Sequence, residues 1–169
     1  MYRRKFRADV YNEVNEPSKQ ALIKYLKAEG HEILSTEEDY NADVVSIKDG
    51  NTYYHEVERK AQWGEDYLGN RGFTLLPDSR WPSEWEEVRI PGRKQRLVKK
   101  YQDEIDNLFF YVLNCEYTKA WKIKGSQMTD DVIKKPSFAR VDRRETFYHI
   151  PYTEAELIII DKESHDRQT

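Results

Sequence analysis

The sequence predicts an α/β domain built on a mixed central β-sheet with helices packed against its faces. Three observations carry that expectation. Ala21, Leu22, Tyr25 and Leu26 recur at helical spacing ahead of Gly30, which sits where a C-terminal cap belongs. Two β-rich runs flank Asp49-Gly50, a dipeptide suited to a tight hairpin turn. A second helical period through Leu97, Val98, Tyr101 and Ile105 precedes two more β-rich runs.

The elements follow in order. Asn15 or Glu16 opens the first helix, because Pro17 is welcome in a first turn. A short strand is expected at 31–35, and the hairpin joins strands at 43–48 and 52–60. Residues 61–87 form a long excursion holding Gly64, Gly69, Gly72, Pro77 and Pro82 together with Trp63, Trp81 and Trp85. A loop of that length inside a compact domain is usually functional. A strand at 88–90 stops at Pro91-Gly92, and a helix spans 93–105. Strands at 108–113 and 119–124 enclose a turn at Asn114, and another strand is expected at 146–150. Thr153 followed by Glu156 has the form of a capping box opening a short helix, with a strand at 157–160 as the alternative. Residues 1–161 make a single domain and 162–169 a polar tail.

Composition narrows the classes of function. Of the 169 residues, 35% are charged and 38% hydrophobic, and twelve Tyr, six Phe and four Trp supply core bulk. A single cysteine, Cys115, excludes an internal disulfide and a multi-cysteine zinc site. The basic segment 1–7 is followed by no apolar stretch, so it is not a secretory signal. The longest apolar run, 157–160, is too short to cross a bilayer. A cytoplasmic location, in a cell or an infected host, is expected, with no membrane partner. No glycine-rich phosphate loop is present, which argues against nucleoside triphosphate hydrolysis. His31, His55, His149 and His165 show no metal-ligand spacing, and Cys115 reads as a core thiol. The net charge of −3 decides nothing, since a basic face can coexist with an acidic centre.

The chemistry is expected on the hairpin. Side chains alternate along a strand, so Tyr54, Glu56, Glu58 and Lys60 project to one side, with His55 on the other. Asp43 starts the partner strand at the end away from the turn, where it can approach Glu56, Glu58 or Lys60. Converging carboxylates repel one another unless a cation lies between them, and all-oxygen ligands suit Mg²⁺ or Mn²⁺. A lysine beside them can orient a water and stabilise charge on a phosphate.

On these residues the chain resembles the PD-(D/E)XK nuclease superfamily. That family shows an acid opening one strand, a turn, then an acid, any residue and lysine on the next strand. Ala42-Asp43 followed by Glu56-Val57-Glu58-Arg59-Lys60 matches in two registers. In one, Glu58-Arg59-Lys60 is the tripeptide. In the other it is Glu56-Val57-Glu58, with Glu58 in the lysine slot, as in some restriction enzymes of the superfamily. The usual proline is Ala42 here, and the family's helix acid is matched only by Glu13 or Glu16. The likeness covers residues 13–125 in element order and 43–60 in motif. It implies a restriction-endonuclease-like fold and a metal-dependent endonuclease acting on DNA. Asp43, Glu56, Glu58 and Lys60 would be catalytic, with Asp43, Glu56 and Glu58 holding Mg²⁺ or Mn²⁺. Cutting both strands requires two symmetry-related sites, which suits a homodimer. The alternative is a module of the same fold that binds nucleic acid without cutting it.

Two further features bear on substrate. Arg89, Arg93, Lys94, Arg96, Lys99 and Lys100 follow one another without an intervening acid, and five of them (Arg89, Arg93, Lys94, Arg96 and Lys100) are the expected phosphate contacts. Trp63, Trp81 and Trp85 either stack on exposed bases or pin the long loop to the domain. Gln62, two residues past Lys60, is a further candidate for substrate contact.

Overall fold

The structure, a computed structural model, describes residues 8–36, 42–134 and 145–161, with side chains from residue 17 onward. The basic N-terminal segment 1–7, the tail 162–169, and the side chains of Glu13 and Glu16 lie outside the described residues.

The first helix, α1, runs Ala8–Ala28 and starts earlier than expected, so Pro17 lies inside it. A proline there has no N–H to give to the carbonyl four residues back. The helix ends as expected at Gly30, where the Gly30 N–H donates to Lys27 O and the His31 N–H to Leu26 O. This pair of bonds is the Schellman arrangement.

Strands β1 (Glu32–Ser35), β2 (Val44–Lys48) and β3 (Asn51–Arg59) form an antiparallel meander. Asp49 and Gly50 join β2 to β3 with φ values of 53° and 80°. Positive φ at both central residues gives a turn whose twist matches the strands, and glycine adopts it without steric cost. Downstream come α2 (Glu65–Leu68), β4 (Glu87–Pro91), α3 (Gln95–Lys100), β5 (Leu108–Leu113) and β6 (Lys119–Lys124). The chain closes with β7 (Ile133–Lys134), β8 (Phe147–Pro151) and β9 (Glu156–Ile159).

The main sheet has six strands in the order β1-β2-β3-β5-β6-β9, and β4-β8-β7 form a separate three-stranded sheet. Only β3 and β5 run parallel among the pairs of the main sheet, which makes it mixed as expected. The segment between them holds the long loop, β4 and α3, the crossover that a parallel pair requires.

Two cores sit on opposite faces of this sheet. On one face Leu22, Ile23 and Leu26 of α1 pack against Val44, Val57, Tyr111, Leu113 and Ile158. On the other, Leu108, Phe110, Val112 and Ile123 meet Leu97 and Val98 of α3, Val88, Ile90, Tyr148 and Ile150 of the small sheet, and Trp63 and Trp81. A helix covers one face, whereas the small sheet, α3 and the tryptophan loop share the other.

Two expected elements differ. The helix expected at 93–105 is a 3₁₀ turn (Gly92–Lys94), then α3, then a second 3₁₀ stretch (Gln102–Asn107). The break falls at Tyr101 (φ −100°, ψ 21°), where the ring stacks on Tyr54 at 4.1 Å between centroids. The C-terminal helix does not form: Tyr152–Glu154 make one 3₁₀ turn and β9 pairs with β6, so the strand alternative holds. Tertiary pairing along an open sheet edge outweighs the capping signal there.

Candidate active site: a buried carboxylate pair with a lysine

The hairpin register sets Val44 opposite His55, which leaves Asp43 beside Glu56 at the mouth of the β2–β3 pair. The two are tied reciprocally. The Asp43 N–H donates to Glu56 Oε1 at 3.1 Å, and the Val57 N–H donates to Asp43 Oδ2 at 3.0 Å. Both residues are buried, at 9% and 5% exposure. Burial first, then the Glu56 charge and a hydrogen bond between the two side chains, pushes the Asp43 carboxyl up to about 8.

Lys94 neutralises the pair from a distant part of the chain. Its Nζ donates to Glu56 Oε2 at 2.6 Å, with the lysine side chain 14% exposed. Lys94 closes the 3₁₀ turn ahead of α3, and Gly92 holds that turn down. The Gly92 N–H donates to Thr146 O at 2.7 Å, and a Cβ on residue 92 would stand 2.1 Å from Thr146 Oγ1. Only glycine lets the backbone approach so closely. Tyr101 completes the wall, its OH accepting from the Ala42 N–H at 3.3 Å.

Glu58 is next but one along the same face of β3. Burial raises its pKa, while Lys94, Arg93 and Lys60 pull the other way. Lys60 stands at the strand's end, where burial and then Arg89 lower its pKa. Its backbone is anchored on both sides: the Lys60 N–H donates to Leu113 O at 2.8 Å, and Lys60 O accepts from the Trp63 N–H at 3.0 Å. Its ammonium lies 5.2 Å from the Trp85 ring centroid.

Asp43 and Glu56 are therefore joined directly, with Glu58 and Lys60 following on the same face. Both tripeptide registers, Glu56-Val57-Glu58 and Glu58-Arg59-Lys60, keep their acids on this face. The lysine touching a carboxylate is Lys94, read from sequence as a phosphate contact. Its 38-residue separation from Glu56 left no local signal beyond its place after Pro91-Gly92. Among the other basic positions, Arg89 sits on β4, while Arg93, Arg96 and Lys100 are exposed. Arg93 pairs loosely with Glu145 at 3.9 Å. Gln62 is exposed, directly past the strand.

The donor set fits a hard divalent cation of limited protein coordination. Among the described residues no three His, Cys, Asp or Glu side chains converge closely enough to enclose an ion. Mg²⁺ is commonly held by one or two carboxylates, with water and substrate phosphate completing its shell. Asp43 and Glu56, buried side by side with the proton held on Asp43, are the two carboxyls that could hold such an ion once that proton is lost.

The opposite face of β3 confirms that His55 is turned away from the acids. His55 Nε2 bonds Ser46 Oγ and its Nδ1 bonds Tyr111 OH, both at 2.8 Å, and Ser46 Oγ also reaches His31 Nδ1 at 2.8 Å. Burial lowers the His55 pKa to about 3, so the ring is neutral at physiological pH. Cys115 is a free thiol, its sulfur 2.8 Å from Arg59 Nη2.

The tryptophans divide. Trp63 and Trp81 are each 1% exposed and belong to the core, so they pin the loop. Trp85 is half-buried.

No protein-family model matches the chain, and no curated protein matches it. Among solved structures the chain is similar to a nuclease from a fusselovirus. The two share 16% sequence identity over 92% of this chain and 90% of that one, with a TM-score of 0.42. No described helix is long and apolar enough to cross a membrane.

Proposed function

We propose that the protein is a metal-dependent endonuclease that hydrolyses DNA phosphodiester bonds at the Asp43–Glu56–Glu58 face of β3. The single observation that carries this reading is the Asp43–Glu56 pair. Two carboxyls buried together against one lysine oppose folding, and such an arrangement is characteristic of sites that need shifted proton affinities. The same hairpin underlies the resemblance to PD-(D/E)XK nucleases.

In this reading Asp43, Glu56 and Glu58 would hold Mg²⁺ or Mn²⁺. The bound ion would polarise the scissile phosphate and lower the pKa of a water. Asp43 would have to be deprotonated to hold the ion. Glu58, under the influence of Lys94 and Lys60, would accept a proton from the water that forms the new P–O bond, while the bond to the leaving sugar oxygen breaks and that oxygen takes a proton from solvent. Lys94 leaves Glu56 for a phosphate oxygen as charge builds there, and Lys60 faces the next phosphate along. Arg89, Arg93, Arg96 and Lys100 supply sequence-independent backbone contacts. A homodimer would place two such sites across a duplex.

A second reading, a nucleic-acid-binding module without catalysis, is favoured by the Lys94–Glu56 ion pair, which neutralises one carboxylate without a metal ion. One assay separates the two. Supercoiled plasmid, linear duplex, single strands and branched DNA are incubated with protein and Mg²⁺, Mn²⁺ or EDTA, beside Asp43→Asn and Glu58→Ala. Metal-dependent cutting that both substitutions abolish is the expected result. DNA binding without cutting, indifferent to metal and to both substitutions, refutes the hydrolytic reading.

A further inference from the structure

Just past the end of β3, at Lys60, lies a cavity of about 380 Å³ lined by Lys60, Trp81, Trp85, Glu84, Glu86, Glu87 and Arg89. That volume falls in the range of small-molecule sites. Its aromatic floor is fixed in advance. Trp81 Nε1 donates to Trp85 O at 2.6 Å, and the Trp85 N–H donates to Pro82 O at 3.0 Å. Trp81 and Phe73 meet the Trp85 ring edge-on, at 5.2 and 5.6 Å. Trp85 is thus held in place while remaining half exposed, unlike its buried neighbours Trp63 and Trp81.

The polar groups around that floor are of two kinds. Lys60 and Arg89 are cationic, and both Arg89 and Glu58 act electrostatically on Lys60. Two of the carboxylates are held in fixed positions. Both oxygens of Glu84 accept from the Thr74 N–H at 3.0 Å, and Glu84 Oε1 also accepts from Ser83 Oγ at 2.9 Å. Glu87 Oε2 lies 2.5 Å from His149 Nδ1. A preorganised indole, two cations and two fixed carboxylate acceptors in one cavity match one chemistry: a planar base with N–H donors, attached to a phosphate chain.

We infer that this cavity receives one unpaired nucleobase of the nucleic-acid substrate, stacked against Trp85, with its phosphates on Lys60 and Arg89. The inference rests on the proposed function and sharpens it. A base in a regular duplex cannot enter without unpairing, which costs free energy that a single strand, frayed end or branch does not spend. The preferred substrate therefore carries an unpaired nucleotide next to the scissile phosphate.

The test is binding in EDTA, where no cutting occurs, read by fluorescence anisotropy. Three probes are used: a labelled single strand, the same strand annealed to its complement, and a strand of equal length made of abasic residues. The abasic strand keeps every phosphate and lacks every base. Loss of one base stack corresponds to about a ten- to hundredfold change in affinity. The wild type is expected to bind the abasic strand that much more weakly than the normal one. Trp85→Leu should bind both alike and keep its duplex affinity, and Trp85→Phe should retain most of the single-strand affinity. Equal wild-type binding of abasic and normal strands overturns the inference, as does a folded Trp85→Leu that binds the normal strand like wild type, or an absence of binding to any strand. The abasic comparison needs only the wild type, so a Trp85→Leu chain that fails to fold leaves the test intact. Base-dependent binding without metal-dependent plasmid cutting would retain the pocket and remove the hydrolytic reading. Cutting without base-dependent binding would do the reverse.

Discussion

Replacing Asp43 by asparagine probes the energetic centre of the site. The folded chain keeps a proton on Asp43 up to about pH 8, whereas the unfolded chain releases it near 3.8. Between those values the folded state binds the extra proton, so stability falls as pH rises. At about 1.4 kcal/mol per pH unit, the interval sets a ceiling of about 6 kcal/mol above pH 8. Movement of Glu56 and Lys94 leaves an expected loss of about 2–3 kcal/mol. Asparagine removes the charge and preserves the framework: its Oδ1 can accept from the Val57 N–H and its Nδ2 can donate to Glu56. His55 contributes a slope of opposite sign. Its folded pKa is about 3 against an ordinary 6.5, so stability falls as pH drops through that interval. Wild-type stability should therefore decline from pH 6.5 to 8.5, whereas Asp43→Asn should rise to pH 6.5 and then hold level. Urea denaturation in EDTA at pH 5, 6.5 and 8.5 measures this directly. Asp43→Asn should be the more stable protein at pH 8.5, with a melting temperature higher by about 4–10 °C. Mg²⁺ should stabilise the wild type at that pH and leave the variant unchanged. A wild type that gains stability between pH 6.5 and 8.5, or a variant weaker than wild type at pH 8.5, would refute the reasoning.

Three other outcomes are expected. Lys94→Met leaves the buried Glu56 carboxylate unpaired and should cost about 3 kcal/mol in denaturation at pH 7, with Glu56→Gln in the same chain recovering most of it. Gly92→Ala forces a methyl group against Thr146 and displaces the turn carrying Lys94. Its cleavage rate should fall at least tenfold while its fold, followed by far-ultraviolet circular dichroism, persists. Asn114→Ala removes the side chain that accepts from the Thr118 and Lys119 N–H groups and donates to Thr118 Oγ1. Loss of these buried bonds should lower stability by about 2–3 kcal/mol, measured by urea midpoint, with DNA binding retained.

What could be read from the sequence was what neighbouring residues decide. The Asp49-Gly50 turn selects its own hairpin, and strand alternation then puts Glu56, Glu58 and Lys60 on one face with His55 on the other. The strands at 108–113 and 119–124 emerged with the expected bounds, because β-rich runs flanking Asn114 define them locally. Asp43 was singled out by the same hairpin logic, since a register set at the turn propagates to its open end. The tertiary structure decided whatever depends on residues far apart in the chain. Lys94 reaches Glu56 only because β3 and β5 lie parallel and the crossover between them folds back over the acids. Trp63, Trp81 and Trp85 are alike in sequence, yet packing buries two and leaves the third half-buried. Strand β9 forms where a capping box favoured a helix, because β6 presented an edge to pair with. The protonation of Asp43 belongs to this second class. A carboxylate's affinity for its proton is set by burial and by the charges around it, and those exist only once the sheet, α3 and the 3₁₀ turn before it have come together.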